Sequence, residues 1–188
     1  GNITAMRANF NFTGITNGRY IWNARAFDVL GKNGFADANY TIVVGTASVA
    51  IAASGNFSTI AWNITSLASN QIDLPAESNN GTGPTDYYVN ISTAGTTADV
   101  YIKTNGNLTS GGSVITLNNE KFAYNTTNPT VPSKSNQSIS TDYIGVGTDL
   151  GDGTIVYFKF FLNVTTGTSA GVYNNSVTVK VVSNGDTP

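Results

Sequence analysis

Residues 158–165 read FKFFLNVT, and their alternation decides the fold class. An extended chain points successive side chains to opposite faces. Phe158, Phe160, Leu162 and Val164 therefore share one face, and Phe161, Asn163 and Thr165 the other. The pattern predicts a β-strand over 154–165 with a core against its first face. Asn163-Val164-Thr165 is also an acceptor sequon for N-linked glycosylation. The stretch thus reads as a strand with a wall on one side and a sugar on the other.

The same texture runs along the chain. Short runs rich in Val, Ile, Thr, Tyr and Phe alternate with clusters of Gly, Asn, Ser and Pro, and no long stretch has a helical period. Strands are expected near 4–13, 19–28, 36–44, 47–53, 58–65, 86–92, 98–104, 113–118, 139–146, 154–165 and 175–183. Segments 75–86 and 125–138 are loops by composition. The expected fold is all-β, built of sandwiches.

Composition narrows the function classes. Of 188 residues, 11% are charged, against about 25% in an average soluble domain. Asn (24), Thr (26), Ser (16) and Gly (20) take their place. A net charge of −2 gives no electrostatic case for nucleic acid or an anionic membrane. The longest apolar-leaning run, 42–53, is too short and interrupted for a membrane span. Without Cys or His there is no disulfide, thiolate chemistry, His-based triad or His-ligated zinc. A surface so poor in charge needs another solubilising group, and glycan is the obvious one.

Twelve asparagines head sequons: Asn2, Asn11, Asn39, Asn56, Asn63, Asn80, Asn90, Asn107, Asn125, Asn136, Asn163 and Asn174. Asn128 is excluded by Pro129. Random placement at this composition would give roughly five. In eight of the twelve the middle residue is apolar (Ile3, Phe12, Tyr40, Phe57, Ile64, Ile91, Leu108 and Val164). On a strand, that phase buries the middle residue and turns Asn and Ser/Thr outward. In AWNIT, Trp62 and Ile64 are expected inward and Asn63 and Thr65 outward; YVNIS repeats the pattern with Val89, Asn90, Ile91 and Ser92.

Two segments resemble known modules. Residues 18–44, GRYIWNARAFDVLGKNGFADANYTIVV, resemble the last hairpin of immunoglobulin-like domains in large secreted surface proteins, through Gly18, Tyr20, Trp22, Ala26, Asp28, Gly31 and Val44. One residue is inserted in the turn, Gly31-Lys32-Asn33. Residues 156–182 resemble the closing hairpin of β-sandwich modules of archaeal and bacterial surface proteins, through Gly167, Thr168, Ala170, Gly171 and Tyr173. Subunits of secreted filaments include such modules. The resemblance implies immunoglobulin-like or jelly-roll-type sandwiches and a place outside the cell or on its surface. It divides the chain into 1–45, an incomplete immunoglobulin-like segment of three strands, and 46–188, a β-sandwich domain. Three strands bury too little to stand alone. Met6, Ala8, Phe10 and Phe12 need a partner surface, supplied by the following domain or by another copy.

Chemistry is sparse. Asp149 and Asp152 in DLGDGT (149–154) could hold calcium with backbone carbonyls, but a plain turn suits the sequence better. Glu77 and Asp86 have nothing nearby in sequence to separate their pKa values, so they make no glycosidase pair. Trp22 and Trp62 alternate in phase with apolar neighbours and read as core aromatics rather than sugar platforms. No catalytic residue, metal site or cofactor is expected, only covalent N-linked glycan, and an enzyme is not. The favoured expectation is a subunit of an extracellular glycosylated filament, joined to other copies of itself by β-strand complementation. The candidate donors are 2–13 and 46–53. The alternatives are a carbohydrate-binding or adhesive module of a larger surface protein, and a surface-layer tile.

Overall fold

The computed structural model describes residues 18–23, 25–27, 31, 33–35, 40–44, 47–130 and 137–188. The architecture is all-β, an antiparallel sandwich preceded by a β-ribbon. In the ribbon, β1 (Gly18–Trp22) pairs β4 (Tyr40–Val44), and β2 (Arg25–Phe27) pairs β3 (Asn33–Phe35). Gly31, with φ +77, lies between β2 and β3, a conformation that favours glycine. The strand expected at 19–28 is interrupted at Asn23, the one expected at 36–44 is described only over 40–44, where it is β4, and the one expected at 4–13 lies outside the described residues.

The sandwich is made of two sheets. In the first, β11 (Glu120–Asn125), β13 (Ile155–Val164), β7 (Tyr87–Ala94) and β5 (Ser48–Ala53) follow in that order, and β6 (Gln71–Pro75) also pairs β13. In the second, β8 (Ala98–Thr104) lies between β12 (Ile144–Leu150) and β14 (Val177–Ser183). A small hairpin of β9 (Leu108–Ser110) and β10 (Ser113–Ile115) is bridged to Asn174 through Thr109. Candidate donor 46–53 is in large part β5, which pairs β7 of its own chain from Ser48↔Ala94 to Ala53↔Val89.

The core follows from alternation. Tyr87, Val89 and Ile91 of β7, Val156, Phe158 and Phe160 of β13, Phe122 of β11, and Val100 and Ile102 of β8 have no exposed surface. Val177, Val179 and Val181 close the other side. Phe57 meets Tyr87, Phe158 and Phe160 edge-on, at centroid distances of 6.0, 5.3 and 6.0 Å, the geometry favoured by ring quadrupoles. Leu108, Ile115, Leu162 and Val164 form a smaller cluster with Trp62, Ile64, Leu67 and Tyr173.

The structure departs from the sequence reading in three places. No strand forms over 58–65; a 3-10 turn (Gly55–Ser58) leads into irregular chain, although Trp62 and Ile64 still point to the core. Strands β6, β9 and β11 lie in sequence too polar or too short to show a run of alternation. The strand expected at 139–146 begins at Ile144, and Ser138 and Ile139 instead pair with the edge of β11.

β13 is also buried on both faces in its middle. Lys159 is 1% exposed and Phe161 3%. Lys159 Nζ donates to the carbonyls of Gly81 (2.7 Å) and Gly83 (3.2 Å), so the 76–86 loop roofs this part of the outer face. Between the ends of β6 and β7 that loop also replaces a strand. Asn79 Nδ2 donates to Phe160 O (2.6 Å), and Phe160 N donates to Asn79 Oδ1 (3.0 Å). Thr85 Oγ1 donates to Phe158 O (2.6 Å). A carboxamide with both halves engaged imitates a peptide group, keeping the ladder paired where no strand runs.

Candidate functional site

Eight sequons fall among the described residues; Asn2, Asn11, Asn39 and Asn136 lie outside them. The eight hydroxyl residues, Ser58, Thr65, Thr82, Ser92, Thr109, Thr127, Thr165 and Ser176, are all exposed. Asn56, Asn63, Asn80, Asn90, Asn107 and Asn174 are exposed as well, while Asn125 and Asn163 are half-buried. The middle residues go the other way. Ile91, Leu108 and Val164 are buried, and Phe57 and Ile64 pack on the core clusters.

The rule extends to a polar middle residue. Asn175, between Asn174 and Ser176, turns inward, and its Nδ2 donates to Glu120 Oε2 (2.6 Å) and Gly106 O (3.1 Å). Burial pushes the Glu120 carboxyl above the usual carboxylate range, and the bond from Asn175 works against that rise. Gly81 and Thr126 do not follow the pattern: the sequons of Asn80 and Asn125 lie at turns. Asn80 has φ +50. Asn125 Oδ1 accepts from Thr127 N (2.7 Å) and Thr127 Oγ1 (2.9 Å), an Asx turn closed within the sequon itself.

Asn163, in the stretch read first, is tied into the fold. Its Oδ1 accepts from Asp73 N (2.7 Å), where β6 shifts register against β13 and Asp73 takes φ +51. Asn56 Nδ2 donates to Asp86 Oδ2 (3.2 Å). Asn107 Oδ1 accepts from Leu117 N (3.0 Å).

Asn90 has different surroundings. It lies on the outer face of β7, across from Ile155 on one side and Ala52 on the other. Tyr88, two residues earlier on the same face, is directly across from Tyr157, with centroids 6.2 Å apart and the rings tilted by 57°. The outer face of the second sheet carries no sequon among the described residues. There Lys103 Nζ lies 4.2 Å from the centroid of Tyr143, and Lys180 Nζ 5.7 Å.

The other candidates have structural partners. Asp149 takes φ +55; its Oδ1 accepts from Thr97 Oγ1 (2.6 Å) and Asn184 Nδ2 (2.8 Å). Asp152 Oδ1 instead accepts from Thr93 N (2.9 Å). The two carboxylates thus brace separate turns. Among the described residues no group of three or more acidic, His or Cys side chains could hold a metal. Glu77 is exposed on a 3-10 turn (Glu77–Asn79). Trp62 is half-buried, with Nε1 donating to Leu74 O (3.1 Å), a core role; the Trp22 side chain lies outside what is described. No helix among the described residues is long and apolar enough to cross a membrane.

Sequence reasoning missed Asn79, Lys159 and Glu120. Asn79 and Lys159 act through backbone groups about 80 residues away in sequence, and no local pattern marks them. Glu120 stands out only as one of two glutamates. No protein family, curated protein or solved structure matches the chain.

Proposed function

We propose that the protein is a structural subunit of an extracellular, N-glycosylated filament, in which copies of the chain join head to tail by β-strand complementation. The observation that carries this reading is the ribbon. Ile21, an aliphatic side chain of β1, is 68% exposed. A two-stranded ribbon that leaves Ile21 largely exposed is marginal in water and gains stability from a further layer or strand. Residues 2–13 of another copy, alternating apolar and polar, have the pattern of such a strand.

A second feature supports polymer growth. β5 ends its sheet, and its sequence SVAIAA holds no charge or proline, the devices that normally discourage strand addition at an edge. A head-to-tail contact that does not close gives a helical fibre. Glycan on the exposed sequons would lie over the first sheet and the loops rather than the outer face of the second sheet, and would restrict lateral association there. In this reading 1–45 is the complementation region and 46–188 an immunoglobulin-like or jelly-roll-type body.

Negative-stain electron microscopy of natively secreted material, taken before any denaturing step, tests the reading. Uniform filaments in the full chain, lost on deletion of 1–13 or in Ile21→Asp, are expected. Isolated particles from the full chain would overturn it and favour an adhesive module of a larger surface protein. Unimpaired filaments from the deletion would remove 2–13 as donor.

A further inference from the structure

We infer that Asn90 carries a glycan whose first pyranose rings lie on an aromatic shelf formed by Tyr88 and Tyr157. The inference rests on the sequons being glycosylated, as proposed above, and is independent of whether the chain forms filaments.

On the outer face of the first sheet Asn90 sits among mainly apolar neighbours, with Ser92 beyond it along β7 and Asn125 across from Tyr157. Asn90 is flanked across the strands by Ile155 and Ala52 and along β7 by Tyr88, with Tyr157 diagonal to it. Tyr88 is 37% exposed, Ala50 and Ala52 are exposed, and Ile155 and Tyr157 are half-buried. Two chemistries could cover such a patch. A protein layer would enclose the Asn90 carboxamide at its centre and would have to meet its donors and acceptor or lose free energy. A glycan attached to that carboxamide meets no such obstacle, because the polar group becomes the point of attachment.

The geometry suits a sugar. Side chains two apart on a strand share a face, and directly opposed pairs lie about 4.5–5.5 Å apart at Cβ. A ring linked to Asn90 Nδ2 therefore has Tyr88 and Tyr157 within reach as it leans along the strand. One face of a pyranose presents C–H groups, which pack on the negative face of an aromatic ring while the hydroxyls stay in water. Among the described sequons only Asn90 combines an aromatic residue two positions earlier with exposure of both. Asn163 has Phe161 at that spacing, but Phe161 is buried under its own surroundings and Asn163 is bound to Asp73.

The test uses the full chain, secreted from a host cell that attaches a chitobiose-cored glycan. Intact-glycopeptide mass spectrometry reads occupancy at Asn90, and carbon–proton correlation spectra read the sugar protons. Expected are an occupied Asn90 and core-sugar protons moved upfield of their positions in the free glycan. That shift should be kept in Tyr88→Phe and lost in Tyr88→Ala. Removing the glycan with Asn90→Gln should lower the unfolding midpoint by about 2–4 °C in the Tyr88 background and leave Tyr88→Ala unchanged, a double-mutant cycle with a non-zero coupling. An unoccupied Asn90 beside occupied neighbours would overturn the site. An occupied Asn90 with unshifted protons and no dependence on Tyr88 would overturn the shelf while leaving glycosylation intact. Tyr157→Ala gives the same reading through the other ring should Tyr88→Ala fail to fold.

Discussion

Asn79→Ala is the sharpest perturbation of this fold. The side chain is 1% exposed and fills the interval between β6 and β7 with two hydrogen bonds to Phe160, at 2.6 and 3.0 Å. The consequences for the two backbone groups differ. Phe160 O keeps a second donor, Ala76 N at 3.0 Å, so its loss is one bond of about 0.5–1.5 kcal/mol net. Phe160 N loses its acceptor inside the sheet, and a buried, unpaired donor costs about 1–3 kcal/mol. Together the substitution should cost roughly 2–4 kcal/mol, close to the upper end for a single side chain outside the hydrophobic core. Asn79→Asp separates the two halves, since a carboxylate can accept from Phe160 N but cannot donate to Phe160 O. Urea unfolding followed by tryptophan fluorescence measures both variants. The midpoint should fall clearly for Asn79→Ala with the slope unchanged. A loss under about 0.5 kcal/mol, the range of an ordinary surface substitution, would refute the idea that this carboxamide stands in for a strand. The sequon at Asn80 is untouched, so any change reports on the fold and not on glycan.

Three further outcomes are expected. Because burial raises the Glu120 pKa, its stabilising share is present below the unfolded carboxylate value and is lost as pH rises through the folded one; Glu120→Gln should flatten this dependence, becoming the more stable protein at pH 7 but not at pH 4, and parallel stability–pH curves for the two proteins would contradict it. A Cβ at Gly147 would lie 2.6 Å from Leu150 Cδ1 across the bulged stretch of β12; Gly147→Ala should cost about 1–3 kcal/mol by overpacking, and less when combined with Leu150→Ala, as thermal unfolding of the four proteins in a double-mutant cycle would read. Lys121 Nζ meets Asp73 Oδ1 at 3.0 Å, with both side chains largely shielded; Lys121→Met should lower stability by about 1 kcal/mol, and a loss that vanishes at 1 M salt would instead mark the pair as solvent-screened.

The residues themselves determined the fold class and the outward setting of most of the described sequons. Alternation in 86–92, 98–104, 154–165 and 175–183 placed β7, β8, β13 and β14 within two residues of their ends, because a half-buried strand must repeat with period two. The same period turned Asn63 and Asn90 outward without a strand being needed at 58–65, since Trp62 and Ile64 had to reach the core in either case. The tertiary structure decided what depends on distant partners. β6, β9 and β11 exist because neighbouring strands supply hydrogen bonds that their own polar sequences do not advertise. Lys159 and Phe161 lie on the face that alternation alone would leave wet, yet both are buried, Lys159 because a loop some 80 residues earlier folds over it. Asn163 reads in sequence as the same kind of site as Asn90. Only the fold separates them, by setting one against the backbone of Asp73 and the other in an apolar patch beside two tyrosine rings. Periodicity is a local property of a chain, whereas the roof over a sheet and the company of a side chain are set by which segments meet.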